Sequence, residues 1–291
     1  MSPIGEPGTL RLAIPKGRMY EGVSRLMQEA GLGLESSSRN YRPVIATEGC
    51  EVKLLKPRAI VEMLAVGARD LAFAGADWVV ETGAELVEVL DTGLDRVRLV
   101  AAAPEAILEN GTLPNRELVV ASEYANLTRG WIRERGLNAT YLASYGATEV
   151  LPPEDADCIV DNTATGATLA ANGLAIIDEI MTSSTRLYAS PQAMQSPEKR
   201  ERIERFALLI RSVLEARQRV MVELNVSQDR LEALVEILPC MREPTVSHLR
   251  SESGFAVKVA VKRSELPRLV PLIKRLGGTD IVVTKPEQIV P

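Results

Sequence analysis

The stretch DCIVDNTATGATLAANGL, residues 157–174, concentrates groups able to do chemistry. An apolar β-type run ends on the carboxylate of Asp161. Asn162, Thr163, Ala164, Thr165 and Gly166 then read as a turn, and a helix is expected from Ala167. Small residues let a ligand approach the backbone, while the first amides of a helix and its dipole favour an anion there. The hydroxyls of Thr163, Thr165 and Thr168 add donors. The anion that suits this arrangement is a phosphate monoester, with Asp161 one turn away to accept hydrogen bonds from sugar hydroxyls. The plainer alternative is a capped helix after a core strand. Threonines and a glycine crowded between a carboxylate and a helix exceed what one cap needs.

Composition narrows the rest. The 291 residues carry 34 Lys+Arg against 39 Asp+Glu, a net charge of −5, and the pI is about 5.3. This argues against a nucleic-acid partner, because affinity for a polyanion rests on clustered Lys and Arg. His248 is the sole histidine, so no His-rich zinc site or two-histidine protease helix can form. It reads as a surface or core residue rather than a catalyst. Cys50, Cys158 and Cys240 are widely spaced, with no Cys-x-x-Cys, and read as small buried hydrophobes in a reducing compartment. The N-terminus, MSPIGEPGTLRL, lacks the basic and apolar regions of a signal peptide. No apolar run approaches the roughly 18 residues that span a bilayer. A cytoplasmic location without a membrane partner is expected.

Elements must position these groups. LRLAI (10–14) leads to a helix over about 20–30, and EVKLL (51–55) to one over about 58–66. DLAFA (70–74), VRLVAA (97–102), ELVVAS (117–122), ATYLAS (139–144) and DCIVD (157–161) follow as strands. Such alternation predicts crossover units in a largely parallel sheet. It is long enough for two α/β lobes, with the chain crossing between them near Pro104 and Pro114. Ligands in such folds sit beyond the carboxyl ends of strands. Residues 197–218 predict one long helix with an apolar stripe. RVMVELNV, SQDRLEALVEIL (a helix capped by Ser227), PTVSHL, GFAVKVAV, SELPRLVPLIKRL and TDIVVT then give the order βαββαβ, a ferredoxin-like domain.

Val160, Asp161, Thr165, Gly166, Ala167 and Thr168 resemble the phosphoribosyl-diphosphate (PRPP) loop of phosphoribosyltransferases, although type I enzymes place two adjacent acids where this chain has Val160 and Asp161. Further segments resemble the long form of the ATP phosphoribosyltransferases over nearly the whole chain. They are AIPKGRMYE (13–21), DLAFAGADWVVE (70–81), ASEYANLTRGWIRERG (121–136), YGATEVLPPEDADCIVDNTATGATLAANGL (145–174) and LPCMREPTVSHL (238–249). The chain departs from the family at Lys56-Pro57-Arg58-Ala59-Ile60-Val61, which lacks an acid at Ala59 and a proline at Val61, so no role is assigned to that loop. The spacing from Glu149 to Asp161 is about a residue shorter than in some relatives.

The resemblance implies a two-lobe, periplasmic-binding-protein-like catalytic core with a C-terminal ACT-like regulatory domain. Lobe I would take residues 1–104 and 184–215, lobe II 105–183 with the PRPP loop, and the regulatory domain 216–291. Adenine N1 of ATP would displace diphosphate from C1 of PRPP, the first step of histidine biosynthesis. That step needs positioning and charge neutralisation more than acid or base. Asp161 would bind ribose hydroxyls and Thr163 to Thr168 the 5-phosphate. Lys16 and Arg18 would meet diphosphate or triphosphate charge, with Gly17 permitting close approach; plain solvated surface is the alternative. Gly75 and Asp77 would line the cleft, or Asp77 would cap a helix. Tyr124 would stack on adenine, or be an amphipathic helix residue. Mg²⁺ would be held mainly through substrate phosphates. Histidine would inhibit by binding near Thr245, Val246, Ser247, Phe255 and Ala256. The enzyme would need no separate regulatory subunit and would form dimers and, by analogy, hexamers. A non-catalytic two-lobe binding protein and another PRPP-dependent transferase are the competing readings.

Overall fold

The computed structural model describes residues 8–35, 42–45, 47–239, 241, 243–250 and 253–290; Cys240 lies outside them. Residues up to Gln28 and from Leu32 to Ala207 form one compact unit, and Glu29–Gly31 with Leu208 onward form a second.

The first unit runs β1 (Leu10–Pro15), α1 (Arg18–Glu29), β2 (Leu34–Glu35), β3 (Val44–Ile45), β4 (Cys50–Leu55), α2 (Pro57–Ala65), β5 (Leu71–Gly75) and α3 (Ala76–Thr82). It continues through β6 (Val87–Pro104), β7 (Leu118–Ser122), α4 (Ala125–Glu134), β8 (Ala139–Ala143), β9 (Cys158–Thr163), α5 (Ala167–Ala171), β10 (Leu174–Ala189), α6 (Pro191–Gln195) and the start of α7 (Pro197–Gln218). Eight strands form one sheet in the order β4-β1-β5-β10-β6-β9-β7-β8.

The sheet is mixed, which corrects the expectation of a largely parallel one. Its flanks, β4-β1-β5 and β9-β7-β8, are parallel. The central pairings β5/β10, β10/β6 and β6/β9 are antiparallel. The cause is the length of two strands. β6 has 18 residues and β10 has 16, against a usual five or six, so each serves both halves. Arg98–Ala102 of β6 pair with β9, while Thr185–Ala189 of β10 pair with β5. Both run as continuous strands through the centre of the sheet, between its two parallel flanks. Pro104 simply ends β6, where a missing N–H is tolerated. The first half of β6 escapes a sequence reading because VEVLDTGLDR is polar and carries Gly93 and Asp95 at positive φ. Register shifts against β10 absorb that irregularity.

Burial follows the two-sided cover. All five residues of β5 are buried, and Phe73 meets Phe206 of α7 at 6.2 Å between ring centroids. Along β6, Leu99, Ala101 and Ala103 pack with Val120 and Trp131 on one face, while Val100 and Ala102 pack with Ala121, Ile159 and Leu169 on the other. That period of two is what a strand buried on both faces dictates. Cys158 is buried and Cys50 only partly so, and burial pushes both thiols up to about 12, which leaves them inert as nucleophiles.

The second unit holds β11 (Arg219–Val226), α8 (Leu231–Val235), β12 (Thr245–His248), β13 (Phe255–Lys262), α9 (Leu266–Arg275) and β14 (Thr279–Thr284), with sheet order β12-β13-β11-β14. All its pairings are antiparallel. This is the ferredoxin-like arrangement. Strand β11 alternates half-buried and buried residues, and Val220, Val222, Leu224 and Val226 meet Leu234, Leu269 and Ile273 in a core of its own. The helix expected over 227–238 is shorter than its pattern. Ser227 stands at the cap but accepts no amide; its hydroxyl bonds Asp229, and the chain makes a 3-10 turn before α8.

Candidate active site

Two turns at strand ends carry the candidate groups. After β1, Lys16 donates its amide to Leu55 of the neighbouring strand at 2.9 Å. Gly17 then takes φ +83, a left-handed conformation that favours glycine, and nothing lies within 4 Å of where a Cβ would point. Arg18 opens α1 and is exposed. The backbone of this turn is therefore open to an incoming ligand.

The second turn follows β9. The strand continues to Thr163, so Asn162 and Thr163 belong to it and the turn proper is Ala164-Thr165-Gly166. Thr163 Oγ1 accepts the Gly166 amide at 2.9 Å, and Thr165 Oγ1 accepts the Ala167 amide at 3.3 Å. Thr163 is thus buried and spent on shaping the turn. Gly166, at φ +82, reverses the chain into α5, which has only five residues. The anion affinity expected from a helix dipole rests here on one turn of amides. Ala164, Thr165, Ala167 and Thr168 are exposed around it.

Asp161 is half-buried at the mouth of this turn and accepts the Asn162 amide at 2.7 Å. Burial pushes its carboxyl up to about 6; the charges of Glu149 and Glu123 add to the rise, while the Asn162 amide and Arg18 oppose it. Arg18 is thus among the charges that act on Asp161, although β1 and β9 belong to opposite flanks of the sheet.

Three expected ligand-lining residues have other work. Asp77 is buried: its Oδ1 accepts from Ser183 Oγ at 2.7 Å and its Oδ2 from Tyr124 Oη at 2.6 Å. Gly75 gives the Asp77 carboxylate room, since a Cβ there would strike Asp77 Oδ1. Tyr124 precedes α4 and is 1% exposed, its ring stacked on Trp78 with centroids 4.6 Å apart. Its hydroxyl accepts from Asn162 Nδ2 at 2.9 Å, and burial beside Asp77 holds the phenol far above its ordinary value. The face of the ring expected to meet adenine is here engaged by Trp78. Tyr124 ties α3 to the strand that carries Asp161.

Comparison with known proteins bears directly on this arrangement. Residues 56–212 match the family model described as ATP phosphoribosyltransferase, and 216–287 match the model of its C-terminal domain. The chain belongs to the ATP phosphoribosyltransferase family. It is similar to the ATP phosphoribosyltransferase of Chlorobium luteolum, 36% identical over 277 residues that cover 94% of each chain. The enzyme of Pelotomaculum thermopropionicum is 36% identical over 288 residues, covering 97% of this chain and 99% of that one. A solved ATP phosphoribosyl transferase (HisG:HisZ) complex from Thermotoga maritima aligns at TM-score 0.63 and 28% identity, covering 71% of this chain and 98% of that chain. Membership makes the chain a pentosyltransferase that uses ATP and PRPP at the first step of histidine biosynthesis.

Several groups around the family's turn escaped the sequence reading. Glu123 and Glu149 bear on Asp161, and the place of Glu123 inside the Ser-x-Tyr segment was the available signal. Lys56 and Ala59, in the divergent loop left without a role, line a cavity together with Lys16. A second cavity, of about 400 Å³, brings Ala164 together with Arg96, Arg98 and Arg186 from the long strands. In the second unit, β12 and β13 align Ser247 with Ala256 and His248 with Phe255, the last pair 4.6 Å apart. Thr245, Val246 and Ser247 are exposed there, and Phe255 and Ala256 half-buried. No helix among the described residues is long and apolar enough to cross a membrane.

Proposed function

We propose that Asp161 and the turn from Thr163 to Thr168 hold the ribose and 5-phosphate of PRPP, and that Lys16, Gly17 and Arg18 receive diphosphate and triphosphate charge. The observation that supports this reading is the half-buried Asp161 carboxylate at the end of β9, beside the exposed residues Ala164, Thr165, Ala167 and Thr168 of a turn reversed by Gly166 at φ +82. Adenine N1 of ATP brings its own lone pair to ribose C1. The C1–O bond to diphosphate breaks, and N1-(5-phospho-β-D-ribosyl)-ATP forms. The protein orients two polyanions and neutralises the leaving group. Asp161, ionised, anchors the ribose hydroxyls. Tyr124 and Asp77 brace that strand from behind.

The donor set fits Mg²⁺ carried by substrate. Among the described residues no three His, Cys, Asp or Glu converge to hold an ion, while Glu123, Glu149 and Asp161 make a negative neighbourhood that favours a cation. Asp161 and Glu149 would be its protein partners, with most ligands from phosphate oxygens and water. Bound there, it would supply charge neutralisation to the diphosphate.

The remaining parts of the reading are regulatory. The halves of the sheet would act as lobes, residues 1–104 with 184–215 and residues 105–183. The second unit would bind histidine at Thr245–Ser247 and Phe255–Ala256 as feedback inhibitor, in a cytoplasmic homo-oligomer of dimer to hexamer without a separate regulatory subunit. Support for self-sufficiency comes from the C-terminal domain at 216–287; the Thermotoga chain is named in complex with HisZ and aligns to 71% of this one. The test is diphosphate release from PRPP and Mg²⁺ with each purine nucleotide in turn. Release with ATP is the expected result. No release with ATP would overturn the reading.

A further inference from the structure

The cavity at the outer edge of β4 holds about 420 Å³ and is lined by Lys16, Arg42, Lys53 and Lys56, with no acid among its described lining residues. Arg69, between α2 and β5, lies close by and exerts the largest outside influence on Lys53; with burial and Arg42 it holds the Lys53 ammonium below its ordinary value. Arg69 is itself 6% exposed, and its Nε and Nη1 have no hydrogen-bond partner among the described residues. Burial and the charge of Arg11 lower its guanidinium, with Glu51 and Asp70 opposing. Asp70 is already engaged, accepting from Arg11 Nη2 at 2.8 Å and Lys199 Nζ at 2.9 Å. A buried guanidinium with idle donors is a costly arrangement that calls for a reason. None of the described residues supplies one.

We infer that Lys53, Arg42 and Arg69 form a phosphoryl-anion subsite at the β4 edge, beside the turn that carries Lys16. The ligand chemistry is a dianionic phosphoryl group, which guanidinium donors suit. It arrives either as the terminal phosphate of the nucleotide or as free phosphate. The first source rests on the proposed function, because it requires the nucleotide to lie along Lys16; capture of the anion does not.

The experiment titrates the full chain with inorganic phosphate, ATP and ADP by calorimetry and thermal shift, in wild type, Lys53→Met and Arg69→Leu. For a nucleotide-borne phosphoryl group, both variants weaken ATP by roughly tenfold or more, the loss of one charge-assisted hydrogen bond, and leave ADP nearly unchanged. For free phosphate, they weaken phosphate by a similar factor and leave both nucleotides alone. In either case Arg69→Leu unfolds at the same or a higher temperature without ligand and loses the ligand-induced rise. Equal binding by all three proteins overturns the subsite, as does a ligand-free Arg69→Leu that melts several degrees lower while binding is kept. Phosphate binding that depends on Lys53 in a protein inactive towards ATP and PRPP would sink the proposed function and leave the subsite standing.

Discussion

Asp161→Asn separates the needs of the fold from those of the reaction. The carboxyl sits at about 6 against an ordinary 3.8, so between those values the folded chain holds a proton that the unfolded chain has released. Unfolding free energy therefore falls as pH rises through that window. Above it the full cost of the ionised group is present, about 3 kcal/mol as an upper bound. Asparagine cannot ionise, yet keeps an oxygen for the Asn162 amide. The variant should be more stable than wild type by up to about 3 kcal/mol at pH about 7.5 and should match it near pH about 4. Trp78 and Trp131, both in the first unit, make urea unfolding by fluorescence a report on that unit alone. In parallel, kcat/KM for PRPP should drop by roughly 10² to 10⁴, the worth of hydrogen bonds from two hydroxyls to a charged acceptor. The wild-type acid limb near pH 6 should vanish. An Asn variant no more stable than wild type at neutral pH, or one that keeps its turnover, would refute the reasoning.

Gly17→Ala should lose kcat/KM while the fold is weakened by about 1–2 kcal/mol, the strain of a Cβ in a left-handed conformation; a fully active variant would take the turn out of the site. Tyr124→Phe removes the donor to Asp77 and the acceptor for Asn162, and should destabilise by about 1–3 kcal/mol. The KM for ATP should barely move, and a large rise in KM with unchanged stability would return the ring to the nucleotide. Ala256→Trp, on the exposed side of β13 opposite Ser247, should abolish histidine inhibition without altering uninhibited turnover; inhibition that persists would move the regulatory site elsewhere.

Much of this architecture is legible residue by residue. β1 and β5 announce themselves as short apolar runs because both their faces are covered, and the last 70-odd residues spell their antiparallel domain by alternation alone. Asp161 and its turn stand out because local backbone needs and ligand needs coincide there. Other features depend on distant parts of the chain. The first half of β6 is too polar to read as a strand, and only β10 makes it one. Tyr124 sits in a segment that reads as an amphipathic helix, yet Trp78 and Asp77, 46 and 47 positions away, enclose it. The basic edge at Lys53 gathers Arg42 and Arg69, whose spacing follows no local motif.

The nesting of β6 and β10 also bears on how the chain is made. Thr185 pairs with Gly75, 110 positions upstream, and Leu174 with Pro104. On the ribosome β5, apolar along its whole length, has no partner on that edge until Ala189 has emerged. The parallel flank β9-β7-β8 lies wholly within the intervening segment and can assemble earlier. Synthesis therefore leaves a sticky, half-paired N-terminal flank waiting for the later one to close it. Such long-range pairing slows folding and lengthens exposure to aggregation. Truncations ending between β9 and β10 should for that reason accumulate as insoluble chains rather than as inactive soluble ones.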